Sequence, residues 1–244
     1  VVGIGGGGNN ALNHIVRSGV SGVEFIAANT DIAHLERSET KNRIVLGAQM
    51  TKGLGAGANP EVGFQAAKES GDEIKSSLSG ADMVFITAGM GGGTGTGASP
   101  VIAEIAKEQG SLVVAVVTRP FKFEGKRRIT QANEGIERLR DKVDALIVVP
   151  NDKLLQLADK TTPLSDTFAL ADDVLRQAVQ GVTDLILRPG LVNVDFADVK
   201  TVMSNAGSAI MGIGEGSGED RAHTAARASI NSPLMESSMT GAKG

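Results

Sequence analysis

The chain contains no cysteine, no tryptophan and no tyrosine, and its aromatic residues are seven phenylalanines. Without cysteine there is no disulfide, no thiolate metal site and no thiol nucleophile. Aromatics at 3% leave few rings able to stack on a planar ligand. No apolar run approaches the ~18 residues of a membrane span. No basic stretch exceeds Lys126-Arg127-Arg128 and the net charge is −4, which argues against a nucleic-acid partner. The hydrophobic share of 41% over 244 residues is enough for a sizeable core and excludes bulk disorder. Length alone fits one large domain or two small ones. Glycine is in excess: 32 of 244 residues, about 13% against a usual ~7%.

The glycines are clustered. One run is Gly3-Ile4-Gly5-Gly6-Gly7-Gly8, a second is Gly53-Leu54-Gly55-Ala56-Gly57, the densest reads GMGGGTGTG from Gly89 to Gly97, and a small one spans Gly212 to Gly218. Short β-branched runs (Val1–Ile4, Val23–Ala28, Ile44–Leu46, Met83–Ala88, Leu112–Val117, Ala145–Val149) alternate with helical patterns (Asn10–Arg17, Ile32–Arg37, Pro60–Leu78, Pro100–Glu108, Arg128–Arg140, Asp152–Leu157). Such alternation predicts a doubly wound, mostly parallel α/β sheet, with ligands at the carboxyl ends of the strands. A long helix follows, capped by Thr162 with Pro163 at its start and stopped by Arg188-Pro189-Gly190. Its predicted apolar stripe is Leu164, Phe168, Ala171, Leu175, Ala178, Val182 and Leu185. A helix to Ser204, a strand over Ala209–Ile213 and a helix over Glu219–Ile230 come last.

Gly3-x-Gly5-x-x-Gly8 fits the dinucleotide fingerprint, with Asp31 at the end of the second strand. Any Cβ would hold backbone N–H groups away from phosphate oxygens, and a helix N-terminus adds partial positive charge. Alone, four glycines in a row also make an ordinary turn. The second loop, Gly91 to Gly97, again lies between a strand and a helix, and Thr94 and Thr96 add hydroxyls. Two such loops suit a ligand with several phosphates. The pattern G-x-x-x-x-G-K-[ST] does not occur, since Pro120 stands where Gly125-Lys126 would need a glycine, so an ordinary P-loop is excluded.

The string GGGTGTG at 91–97 resembles the signature of the tubulin/FtsZ superfamily. GGGGNN at 5–10, ANTD at 28–31, GLGAGANP at 53–60, RPFKFEGKRR at 119–128, PNDKLL at 150–155 and NVDFADVK at 193–200 agree. The resemblance runs along the whole chain and is closer to bacterial FtsZ proteins than to eukaryotic tubulins. It implies a cytoplasmic GTPase that polymerises head to tail and acts at the division site, with GTP or GDP and Mg²⁺ bound. It implies nucleotide contacts from Gly6, Gly7, Gly8, Asn9 and Asn10, with Asn9 standing where many relatives have glycine. Gly92, Gly93, Thr94, Gly95, Thr96 and Gly97 are implied at the phosphates, and Glu124 and Arg128 near ribose and phosphate. Phe168 and Asp172 are implied at the base, Asn151 among the nucleotide-binding residues, and Asn29 and Asp31 near the γ-phosphate. Asn193, Asp195 and Asp198 match the catalytic loop that relatives insert into the next subunit's site, a group supplied in trans.

Each of these residues also has a plainer role open to it. Asp195 and Asp198 make a good helix capping box. Asp172 and Asp173 fit a solvated helix face, Phe168 fits a core, and Lys122 to Arg128 fit a solvated loop. His14, His34 and His223 have no ligand spacing and are assigned nothing. Two other functions stay open: a Rossmann-type NAD-dependent oxidoreductase using Gly3–Gly8 and Asp31, and a nucleotide-bound filament without hydrolysis. The chain begins at Val1 inside an apolar run, with no charged leader. The expected organisation is a GTP-binding domain over 1–162, a central helix over 163–188, the catalytic loop and its helix over 189–205, and an incomplete second domain over 206–244. The tail that recruits division proteins in relatives is not in the sequence. Expected partners are further copies of the chain, with neither nucleic acid nor membrane insertion.

Overall fold

The computed structural model describes residues 1–155, 163–187, 195–212 and 214–232. Its strands are β1 (Val2–Ile4), β2 (Ile26–Asn29), β3 (Asn42–Val45), β4 (Met83–Gly89), β5 (Leu112–Arg119), β6 (Ala145–Pro150) and β7 (Gly207–Ala209). They form one sheet in the order β3-β2-β1-β4-β5-β6-β7, every pair parallel. The chain winds outward in one direction through β3, then returns to β4 and winds the other way. The doubly wound reading therefore holds, and the reversal between β1 and β4 opens a crevice at their carboxyl ends.

The helices are α1 (Gly5–Arg17), α2 (Ile32–Leu35), α3 (Ala48–Thr51), α4 (Pro60–Glu69), α5 (Gly71–Ser77), α6 (Thr94–Glu108), α7 (Lys126–Arg140), α8 (Asn151–Leu154), α9 (Leu164–Leu187), α10 (Phe196–Met203) and α11 (Arg221–Ile230). Strand β5 shows why two layers of helix are needed. Its Val113, Ala115 and Val117 pack with Ala66, Ile102 and Ile136 of α4, α6 and α7. Its Leu112, Val114 and Val116 pack with Ile15 of α1 and Leu175 and Val179 of α9. A strand apolar on both sides is stable only between two covering layers.

Several elements differ from the sequence reading: α1 starts at Gly5, not at Asn10, and four others differ for a local reason. The predicted helix Pro60–Leu78 is two helices, broken at Ser70, whose Oγ donates to Val45 O (3.3 Å) and accepts from Gly47 N (3.0 Å). Helix α6 starts at Thr94, not at Pro100, so half of the dense glycine cluster is its first turn. Proline favours a first helical position, but close packing here overrides the poor helix propensity of glycine. The buried stripe of α9 is Ala171, Val174, Leu175, Ala178 and Val179, with Ile186 joining it, while Leu185 is 56% exposed. A straight helix drifts off a strict three-four alternation over this length. Strand β7 lies two residues earlier than expected and joins the main sheet beside β6, with Gly207 N donating to Asp144 O (2.9 Å). The expected cap Thr162, the stop Arg188-Pro189-Gly190, the helix end at Leu157 and the strand end at Ile213 lie outside the described residues.

Candidate functional site

Helices α1 and α6 both begin in the crevice, at the carboxyl ends of β1 and β4. A Cβ on Gly5, the first residue of α1 (φ +69°), would lie 2.8 Å from Gly95 N in the first turn of α6. The two N-termini therefore abut. Each leaves N–H groups without intrahelical partners and a partial positive charge. Two at one point make a cradle for a multiply charged anion.

The glycines of the two runs serve two different needs. A Cβ on Gly3 would sit 2.6 Å from Gly8 O, and one on Gly8 would strike Thr87 O. Gly95 would meet Gly89 O at 2.7 Å, Gly93 would meet Ala56 at 2.7 Å, and Gly97 would strike Pro60 O. These five allow helix, strand and loop backbones to touch. Gly6 and Gly7 are exposed and Gly92 has open space around its Cβ direction. A Cβ on Gly7 would still sit 3.3 Å from Gly89 Cα, so of these three only Gly6 and Gly92 have no backbone packed against them.

Two other residues are committed inward. With its amide oriented so that both groups are satisfied, Asn9 donates to Gly3 O (2.8 Å) and Gly5 O (3.1 Å), and it is 1% exposed. Its side chain pins the β1–α1 turn and is not presented to a ligand. Thr96 Oγ1 accepts from Gly91 N (2.8 Å) and is buried. The Asn9 amide is thus engaged within the chain, whereas the Thr96 hydroxyl has one lone pair engaged and keeps its O–H as a donor. Thr94, by contrast, stands at the first position of α6 and pairs with the Thr30 hydroxyl at 2.7 Å. Asn29 and Asp31 flank Thr30. Asn29 Oδ1 accepts from Asp31 N (3.3 Å), and Asp31 Oδ1 caps α2 through His34 N (3.0 Å).

After β5, Glu124 and Arg128 form an ion pair (2.6 Å), and Glu124 Oε1 also accepts from Phe121 N (2.9 Å). Phe121 is fully buried, stacks on Phe123 at 4.9 Å and meets Phe168 edge-on at 5.2 Å. Phe168 is 41% exposed, so it offers a ring and is not simply core. One turn further along α9, Asp172 lines a pocket of about 250 Å³ with Asn10, Asn13, His14 and Arg17 of α1 and with Ala169. Burial pushes the Asp172 carboxyl from 3.8 up to about 7. Its neighbour Asp173 moves the other way: burial would raise it, but hydrogen bonds from Arg176 Nε and Gln177 Nε2 outweigh that and hold it low. Asn151 is buried and lines a separate hollow of about 210 Å³ with Arg119 and Asn133.

Asn13, His14 and Arg17 are the residues the sequence reading missed. The signal was there: with Asn10 they fall at helical spacing on one face of α1.

Asp195 and Asp198 form a reciprocal capping box, Asp198 N donating to Asp195 Oδ1 (2.8 Å) and Asp195 N to Asp198 Oδ2 (3.4 Å). Both are exposed. Asn193 lies outside the described residues. The neighbouring Phe196 lines a cavity of about 490 Å³ with Val1, Ile26, Met83 and Ile186, at the amino ends of the strands. The glycine cradle is at the carboxyl ends. The structure thus brings Gly6, Gly7, Asn10, Gly92, Thr94, Phe168 and Asp172 to one pole and leaves Asp195 and Asp198 at the other.

A doubly wound sheet with two helix N-termini converging at its switch point defines a nucleotide-binding α/β fold. Residues 1–159 match the model for the Tubulin/FtsZ family, GTPase domain, and residues 207–244 match the FtsZ family, C-terminal domain. An empty FtsZ dimer from M. jannaschii is similar, with 51% identity over 96% of this chain and 68% of that one, at a TM-score of 0.92. A mutant of FtsZ from the same organism agrees equally, over 70% of its own length. CetZ2 from Haloferax volcanii, a GTPgS-bound protofilament, shares the fold at 23% identity, covering 88% of this chain and 66% of that one with a TM-score of 0.76. The chain belongs to the tubulin/FtsZ family. On that ground it is a GTPase of the FtsZ type that binds guanine nucleotide.

Proposed function

We propose that this GTPase polymerises head to tail into filaments of a bacterial division ring, and that each active site is completed by the next copy. The observation that carries this is the separation of Asp195 and Asp198 from the glycine cradle by the depth of the sheet. Helix α9 has 24 residues, roughly 36 Å at ~1.5 Å each, and runs between the two poles. Head-to-tail stacking brings the acids of one copy to the phosphates of another. Acids placed permanently on a subunit's own phosphates would repel them; supplied on assembly, they hold and polarise a water. The dimeric and protofilament states of the FtsZ and CetZ2 neighbours support self-association.

In this reading Gly6, Gly7, Gly92, Gly93, Thr94 and Gly95 hold phosphates through backbone N–H groups and one hydroxyl. Gly8 and Gly97 shape the cradle by close packing. Glu124 and Arg128 meet the ribose side. Phe168 stacks on guanine, Asn10 lines the Asp172 pocket beside it, and the Asp172 carboxylate accepts from N1–H and N2–H₂, a donor pair adenine lacks. Asn29 and Asp31 lie toward the γ-phosphate, and Asn193 joins Asp195 and Asp198 in the neighbour's loop. Among the described residues no group of three His, Asp or Glu side chains stands ready for a metal. Mg²⁺ then arrives with the phosphate oxygens and its own waters, its usual mode.

The nucleotide domain is 1–162, the helix 163–188 and the loop with its helix 189–205 follow, and 206–244 opens a C-terminal domain, supported by its family match. The site of action is the cytoplasmic division site, with division proteins recruited by a tail. No feature of the described residues favours an NAD-dependent oxidoreductase, because the second loop and the Asp172 pocket would be idle in it.

The test is GTP turnover per molecule against protein concentration. It rises with concentration if the site is shared; a flat profile overturns the shared site.

A further inference from the structure

Thr30 is fully buried, yet it carries a hydroxyl whose hydrogen-bond partner among the described residues is Thr94 Oγ1, at 2.7 Å. Its backbone carbonyl accepts from Gly55 N (3.0 Å) and from Thr51 Oγ1 (3.4 Å). Ile32 N donates to Gly53 O (3.0 Å), and Asp31 bridges Leu54. Gly93 in turn packs on Ala56 and Asn59. Thr30 therefore joins three segments: the end of β2, the loop over 53–59, and the first turn of α6.

We infer that Thr30 is a positioning residue for nucleotide phosphate: its O–H donates to Thr94 Oγ1 and so directs the Thr94 proton outward into the cradle. A hydroxyl has one proton and two lone pairs. Between two isolated hydroxyls, either can donate. Once a phosphate oxygen sits before Thr94, only one arrangement satisfies all three groups, Thr30 O–H to Thr94 O–H to phosphate. Such a chain polarises along its length and strengthens the terminal bond. Thr30 touches no phosphate itself. Because its carbonyl also holds Gly55 and its neighbours Asn29 and Asp31 lie on the same loop, phosphate contact at Thr94 is mechanically tied to the loop over 53–59.

The inference rests on the proposed placement of phosphate at Thr94, and a double-mutant cycle separates the two. Thr30→Val keeps shape and burial and removes the hydroxyl; GTP and GDP affinities are measured by nucleotide titration, with thermal midpoints alongside. T30V is expected to weaken GTP by about five- to tenfold, the range for a hydrogen bond between two neutral groups. T94V weakens it at least as much, T30S stays within about twofold of the parent, and T30V/T94V is no weaker than T94V alone. That non-additivity is what a purely structural role does not produce. Additive losses, or a loss in T30S as large as in T30V, overturn the inference while leaving the phosphate reading intact. An unchanged affinity in T94V overturns the phosphate placement and the inference with it, and no GTP binding by the parent overturns the proposed function. Should T30V not fold, T30A and T30A/T94V close the same cycle with a smaller side chain.

Discussion

Asp172→Asn changes charge without changing shape, in a pocket whose physics is visible. The Asp172 carboxyl titrates near 7 because burial between α1 and α9 strips its water. In an unfolded chain it titrates near 3.8. Folding therefore carries an ionisation cost that is absent only well below the unfolded value of 3.8 and complete above about pH 7. The cost grows as pH rises through the interval and is full once the folded group ionises. At ~1.4 kcal/mol for each tenfold change the ceiling is about 4 kcal/mol, and partial exposure to solvent brings it to roughly 2. His14 and Arg17 face the same pocket from α1, and Asp173 flanks it on α9, so the ionised carboxylate is not wholly unaided. Nucleotide-free Asp172→Asn is expected to be more stable than the parent by about 2 kcal/mol at pH 8, with the gap shrinking as pH falls and closing only below the unfolded value of 3.8, read from urea midpoints with unchanged slopes. GTP affinity moves the opposite way. In the proposed placement the carboxylate accepts two donors from guanine, so the amide should lose about 1.5–3 kcal/mol of binding, the range for hydrogen bonds to a charged group. Binding to the parent near pH 7 should release a proton, detectable as a buffer-dependent heat. An Asp172→Asn protein that is destabilised at pH 8, or that binds GTP as tightly as the parent, refutes the reasoning.

Other outcomes follow from the same geometry. Gly8→Ala drives a Cβ into the Thr87 carbonyl and should cost about 3 kcal/mol or more of stability by thermal unfolding. Gly92→Ala, with open space around it, should leave stability unchanged and weaken nucleotide binding. Asp198→Ala should keep GTP binding and lose turnover; loss of binding would show that its role is misassigned. Asp195→Ala removes the cap of α10 and should cost about 1 kcal/mol besides any loss of turnover.

The sequence by itself determined the sheet and its ligand edge. Two-sided apolar runs such as Leu112–Val117 cannot be stable except between helices, and glycine runs after strands mark where backbone must come close. It also placed Phe168 and Asp172 on one helix face, though spacing alone could not tell stacking ring from core or buried acid from solvated one. Only the tertiary structure decided what each glycine is for. Gly7, Gly8, Gly93, Gly95 and Gly97 face backbone from elements distant in the chain, Gly3 faces the nearby Gly8 carbonyl, and Gly6 and Gly92 face no backbone. No local pattern distinguishes these, because the neighbour that excludes a Cβ arrives through folding. The same holds for Asn9, turned inward onto Gly3 and Gly5, and for the Thr30–Thr94 pair, 64 residues apart in sequence. It holds above all for Asp195 and Asp198. Their capping box is legible in four consecutive letters, but their place at the far pole depends on a helix that runs the depth of the sheet.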